Sequence, residues 1–154
     1  MMDAWDDVPT FGEPPHAIVP VVRPGAYAIV ADADGRILVV RTPRGQLFLP
    51  GGGLEAGESP HAAVVREVRE ECGLVIEVEA DVLRATDVVH APDEGWFAKR
   101  SVFFRGRLAG FPSATTEHGY EVLWLEPQHA IARLAHAGHR WAVAQWHRDP
   151  RDVA

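Results

Sequence analysis

Apolar and polar positions change their period several times along this chain of 154 residues. Gly25 to Ala31, G-A-Y-A-I-V-A, is almost continuously apolar, and Arg36 to Arg41, R-I-L-V-V-R, is an apolar run closed by arginines. Short apolar runs bounded by turn residues predict buried strands. Asp34-Gly35 between them predicts a hairpin turn. Leu47 to Leu49 predicts a short strand that leads into Pro50 and the glycines that follow. From Pro60 the period becomes helical. Ala62, Ala63, Val64, Val65 and Val68 supply an apolar stripe, with Val64, Val68 and Cys72 on the face to be buried. Ser59 suits the N-cap, Pro60 the first helical position, and Gly73 the C-terminal stop. Leu74 to Val89 alternates enough for one or two strands, Ala91 to Gly95 reads as a polar turn, and Trp96 to Leu108 as a long strand. Tyr120 to Leu125 predicts a further strand. Pro127 to Ala137 and Arg140 to Trp146 predict helices, with Gly138 as the break between them.

Strands on both sides of a central helix, with more helices at the end, predict an α/β fold in which a sheet is sandwiched between helices. Residues 1–24 carry Pro9, Pro14, Pro15, Pro20 and Pro24 among acidic residues. They predict an N-terminal arm, extended in part and free to move, ahead of a single domain over residues 25–154.

The central helix also carries the chemistry. Glu67, Glu70 and Glu71 are helical neighbours, and Arg66 stands beside them. Several like charges in one small place are costly unless something positive offsets them. Carboxylate oxygens suit a hard divalent cation, so Mg²⁺ is the natural candidate. Glutamates at this spacing are otherwise a solvated helix face. That reading leaves unexplained why a glycine run and an arginine stand at fixed distances from them. Cys72, on the buried side of the helix, is read as a small core residue without chemistry.

The spacing as a whole resembles the signature of the Nudix hydrolases. That signature runs Gly, five residues, Glu, seven residues, then Arg-Glu-apolar-x-Glu-Glu-x-Gly-apolar. Gly52, Glu58, Arg66, Glu67, Val68, Glu70, Glu71, Gly73 and Leu74 fill its fixed positions. The resemblance implies an α/β/α sandwich with a mixed sheet. It also implies hydrolysis of a diphosphate linkage in a nucleoside diphosphate joined to another group, X, with Mg²⁺ or Mn²⁺ as cofactor. Glu67 and Glu71 are then the leading metal ligands, with Glu70 joining them or holding a metal-bound water, and the Gly51 carbonyl is a further ligand. Arg66 orients Glu67, and Glu58 braces loop and helix. The general base is a box glutamate or a carboxylate from a later loop, for which Glu117 and Glu121 are the candidates, ahead of Asp93 and Glu94. Family members of this size are most often MutT-like, acting on nucleoside triphosphates, and are often homodimers.

Substrate choice falls outside the box. Arg41 and Arg44 flank the entry to the glycines and are read either as phosphate contacts or as ordinary exposed arginines. Phe48, Trp96 and Phe97 are read either as base-stacking rings or as core, while Phe103 and Phe104 are read as core. The proline and tyrosine that mark ADP-sugar and dinucleoside polyphosphate hydrolases are absent from their places near Val89 and His90. Two alternatives remain open: a sensor that binds a nucleotide without turnover, and a hydrolase of RNA 5′ ends.

Composition narrows this further. A net charge of −7 argues against tight binding to long nucleic acids, though not against a small phosphorylated substrate. One cysteine excludes an internal disulfide and a cysteine-based zinc site. No apolar run is long enough to span a membrane, and the acidic start lacks the marks of a signal peptide. A cytoplasmic protein is expected.

Overall fold

The computed structural model describes residues 3–110 and 119–149. Eight strands and three helices follow in the order β1 (Thr10–Phe11), β2 (Val21–Val30), β3 (Ile37–Arg41), β4 (Leu47–Phe48), β5 (Gly51–Gly53), α1 (Pro60–Cys72), β6 (Val75–Ala91), β7 (Gly95–Ala109), β8 (Glu121–Leu125), α2 (Pro127–Arg133) and α3 (Ala137–His147). They form a five-stranded mixed sheet, β1-β6-β7-β2-β5, and a three-stranded antiparallel sheet, β4-β3-β8.

Side-chain alternation explains the layering, because successive residues of a strand face opposite sides. Ala26, Ala28 and Val30 of β2, Val102 and Phe104 of β7, and Leu38 and Val40 of β3 join Ala63, Val64, Val68 and Cys72 of α1 in one core. The intervening residues Ile29, Phe103, Ile37 and Val39 point the other way. There they form a second core with Leu47, Leu49, Ala130 and Leu134, and with Ala142 and Val143 of α3. Helix α1 thus covers one face of the strands and α2–α3 the other, the α/β/α sandwich that the alternation of elements predicts.

Several elements differ from the pattern read in the sequence. The first 24 residues do more than form an arm. Thr10–Phe11 lie parallel to Thr86–Asp87, and β2 begins at Val21 and runs parallel to β7 from Phe97 to Gly106. Pro24 is tolerated inside β2 because its carbonyl faces away from β7 and accepts the Leu54 N–H at 3.2 Å. The position where its N–H would be lies on that same edge, so the pairing with β7 loses nothing. Of the one or two strands read over Leu74 to Val89 there is one, Val75–Ala91, with an irregularity between Val78 and Val82.

The helix break also lies elsewhere. Gly138 is the second residue of α3, and the chain turns at Leu134–His136 instead. Asp87 of β6 explains this. Its Oδ1 accepts the Gly138 N–H at 2.9 Å, a cap for the start of α3 supplied from another layer. A Cβ on residue 138 would stand 2.3 Å from Asp87 Oδ2, so the glycine is there for close approach.

Candidate active site

Local sequence places α1 and its glutamates. Ser59 Oγ accepts the Ala62 N–H at 3.1 Å, and Pro60 opens the helix where no N–H is needed. Gly73 closes it in the left-handed conformation, φ 66°, with its N–H on the Arg69 carbonyl. The three glycines before the helix form β5, an edge strand in register with Gly25–Tyr27 of β2. Their local sequence predicts a loop, because nothing but pairing partners marks them as a strand.

Glutamates and glycines then meet. Glu71 is buried, and its Oε1 accepts the Gly51 N–H at 2.8 Å. Glu67 lies against Gly52, where a Cβ would stand 2.7 Å from the Glu67 carboxyl carbon. Only glycine lets the carboxylate and the strand come this close. Arg66 spreads its guanidinium over the rest. It donates to Glu58 twice, at 2.7 and 2.8 Å, to Glu67 at 2.9 Å, to Glu70 at 3.2 Å and to the Gly53 carbonyl at 3.3 Å. Glu55 stands 3.8 Å away, and its backbone N–H donates to Glu58.

The electrostatics are lopsided. One guanidinium faces four carboxylates, and Glu71 is a fifth close by. Arg66 holds the Glu58 carboxyl down at about 2, chiefly through its hydrogen bond. Burial first, then the charges of Glu71 and Glu67, push the Tyr27 phenol well above its ordinary value. Burial and Glu71 together push the Cys72 thiol up to about 12, so this buried, free cysteine stays protonated. A surplus of negative charge with oxygen donors alone fits a hard divalent cation. Among the described residues no three Asp, Glu, His or Cys side chains converge on one point as metal ligands. Arg66 instead holds oxygens of Glu67 and Glu70.

The other candidates are more scattered. Arg41 and Glu121 are cross-strand partners on β3 and β8 and form an ion pair at 2.8 Å, so a candidate phosphate contact and a candidate general base engage each other. Arg44 is exposed in the turn between β3 and β4. Phe48 is half-buried and packs edge-on against His136, ring centres 4.9 Å apart. Phe97 is buried with the Arg23 guanidinium 3.5 Å over its ring, Trp96 faces His90, and Phe103 and Phe104 are core. Asp93 and Glu94 lie in the β6–β7 turn, with Glu94 at 3.6 Å from Arg23. Glu117 lies outside the described residues.

The structure also assembles residues that the sequence did not single out. A recess of about 180 Å³ opens beside Gly53, lined by Arg23, Gly25, Tyr27, Lys99 and Ser101. Arg23 and Lys99 sit in register across β2 and β7, and burial with the Arg23 charge lowers the Lys99 pKa. No spacing in the sequence brings these two together, because 75 residues and a parallel pairing separate them.

A NUDIX domain model matches residues 21–147. The chain belongs to the Nudix family. A MutT-like protein of Streptomyces ambofaciens is 34% identical over 125 residues, 80% of this chain and 77% of that protein. An isopentenyl-diphosphate Delta-isomerase of Clavibacter michiganensis subsp. michiganensis is 31% identical over 157 residues, covering 92% of this chain and 78% of that one. Among solved structures, the MutT protein of Methanosarcina mazei Go1 superposes with a TM-score of 0.66 at 22% identity, over 86% of this chain and 97% of that one. As a Nudix protein with its box complete, the chain is an enzyme of the pyrophosphohydrolase class, acting on phosphorus-containing anhydrides.

Proposed function

We propose that this Nudix enzyme hydrolyses the diphosphate linkage of a small nucleotide, a nucleoside diphosphate joined to X, with Mg²⁺ as its metal and Mn²⁺ as a substitute. The observation that carries this reading is the meeting of Glu71 with the Gly51 N–H and of Glu67 with Gly52. It brings two carboxylates against one short edge strand. Glu67, Glu70 and Glu71, with the Gly51 carbonyl, would hold the metal. When bound, a divalent ion shields phosphate oxygens and acidifies a bound water.

The chain's own residues supply the rest. Arg66 fixes the carboxylates by charge-assisted hydrogen bonds, and Glu58 anchors Arg66 in turn. Arg23 and Lys99, beside Gly53, offer positive charge to a substrate phosphate lying across the edge of β5. A box glutamate, Glu121 or Glu117 accepts the proton of the attacking water. Arg41, Arg44 and Phe48 are proposed contacts for the remainder of the nucleotide.

A second reading, hydrolysis at RNA 5′ ends, rests on partial matches to RNA pyrophosphohydrolases. An RNA pyrophosphohydrolase of Halorhodospira halophila is 47% identical over 53 residues, though these are only 34% of this chain and 29% of that protein. The net charge of −7 favours a small substrate. No helix among the described residues is long and apolar enough to cross a membrane. A cytoplasmic, homodimeric enzyme is the working proposal.

The test is product release from nucleoside triphosphates, nucleotide sugars, dinucleoside polyphosphates, NADH and a 5′-triphosphorylated RNA, with Mg²⁺ or Mn²⁺. Glu71→Gln serves as the control and is expected to keep the fold while losing about two orders of magnitude or more in turnover. Near wild-type turnover in that variant would refute the metal assignment. No cleavage of any substrate, with nucleotide binding retained, would move the reading to a sensor.

A further inference from the structure

Leu49 stands two residues ahead of Gly51, and its N–H donates to Nδ1 of His139 at 3.3 Å. His139 lies on α3, in the layer opposite the glutamate helix, and is fully buried. Its ring is enclosed by Tyr27 at 4.4 Å, His136 at 5.3 Å, Phe103 at 5.4 Å and Phe48 at 5.9 Å between ring centres. A phenyl ring would fill such a cage with no polar atom to desolvate. The imidazole instead keeps Nε2 in the core without a hydrogen-bond partner, which is unfavourable. What only the imidazole supplies is an acceptor for the Leu49 N–H. That role requires Nδ1 to be unprotonated. Burial, and then His136, Lys99 and Arg140, push the His139 pKa well below its ordinary value and keep it so.

The segment from Leu47 to Gly51 is gripped from both layers. The Leu47 carbonyl accepts from Ala135 at 2.8 Å, in the α2–α3 connection, and the Pro50 carbonyl accepts from Ala28 at 2.9 Å. The Gly51 N–H then reaches Glu71 of α1 at 2.8 Å. We infer that His139 is a positioning residue of the active site, its Nδ1 holding the Leu49–Gly51 backbone from the α3 layer so that Gly51 and Gly52 meet Glu71 and Glu67. The inference rests on the hydrolase reading for its effect on turnover, whereas its effect on the backbone is independent of that reading.

Two variants test it. His139→Phe keeps a ring and removes the acceptor, while His139→Asn places Oδ1 near the position of Nδ1. Amide hydrogen exchange is followed at Leu49 and Gly51, with Val64 and Val68 of α1 as internal references. In parallel, kcat, KM and the Mg²⁺ concentration for half activation are measured. In His139→Phe, exchange at Leu49 and Gly51 is expected to rise about tenfold or more over the references, as for the loss of one hydrogen bond. The same variant is expected to lose about tenfold in kcat and to need more Mg²⁺, with KM little changed. His139→Asn is expected to recover most of both effects. Wild-type exchange and kcat in His139→Phe would overturn the inference. So would an Asn variant as impaired as the Phe variant, or exchange that rises equally at Val64 and Val68. Should the wild-type enzyme cleave no nucleotide, that failure belongs to the hydrolase reading, and the exchange rates alone decide the inference.

Discussion

Arg66 and Glu58 form a two-pronged ion pair across the loop–helix junction, Nε to Oε2 at 2.7 Å and Nη2 to Oε1 at 2.8 Å. The other side of the same guanidinium serves Glu67 and Glu70. A lysine offers one point charge and no fork, so it cannot hold Glu58 and Glu67 together. Arg66→Lys is therefore expected to lower kcat about 10–100-fold, the usual effect of removing an outer partner of a metal-binding group. Steady-state kinetics at saturating Mg²⁺ checks this, and activity within about twofold of wild type would show that the fork has no role in positioning.

Glu58 adds a pH dependence whose sign can be worked out. The Arg66 hydrogen bond, and after it the Glu55 backbone N–H, lowers its pKa from an ordinary 4.5 to about 2. A carboxylate with a depressed folded-state pKa contributes stability above its unfolded value, and this is lost as pH falls through the folded value. Glu58→Gln should melt below the wild type at neutral pH. The gap should hold down to about pH 5 and close between about 4.5 and 2. Thermal melts across that range read it directly. A gap that stayed constant to pH 2 would mean that the ion pair is not what Glu58 contributes.

Gly52 faces the Glu67 carboxylate so closely that a methyl group would stand 2.7 Å from its carboxyl carbon. The atom displaced is the end of a flexible side chain, so Gly52→Ala is expected to fold with a Tm within a few degrees of wild type. Glu67 must swing away, however, and a displacement of this kind costs about a hundredfold in turnover. A Mg²⁺ titration of activity in the variant is the measurement. Unchanged kcat at unchanged metal demand would remove Glu67 from the site.

How much of this was legible beforehand depends on the range of each interaction. The α1 helix was readable from end to end because its determinants are local: Ser59, Pro60, the valine stripe and Gly73 all act within one or two turns. The box residues were readable for the same reason, lying within 23 consecutive positions. What failed depended on distant partners. Nothing near Gly51–Gly53 marks a strand until Gly25–Tyr27 lies beside it. Gly138 looks like a break until Asp87 arrives from 51 residues away to cap the helix it sits in. Arg41 and Glu121 looked like separate surface charges until β3 and β8 paired them. His139 and Lys99 carried no signal, because each stands beside an arginine, Arg140 and Arg100, as an ordinary polar residue would, and acquires its role only from the layer packed upon it.

Gly138 gives a prediction that links the fold to the site. It lies on the α3 layer, and a Cβ there would stand 2.3 Å from Oδ2 and 3.0 Å from Cγ of Asp87. Both residues are buried, so the pair cannot relax into solvent. Asp87 is also held in place by the Gly138 N–H. Gly138→Ala must therefore push α3 away from β6 or break the cap. Overpacking of this kind costs about 1–3 kcal/mol, equivalent to a Tm lower by roughly 2–12 °C in a domain of this size. His139 follows Gly138 on α3 and holds the Leu49 N–H, so a shift of α3 should also lower kcat per folded molecule, by up to about the tenfold expected for His139→Phe. Melting curves and kinetics at about 15 °C measure the two together, below the range where unfolding intrudes. A stable variant would mean that α3 can shift freely, and Asp87 would then not be the cap that fixes where α3 begins.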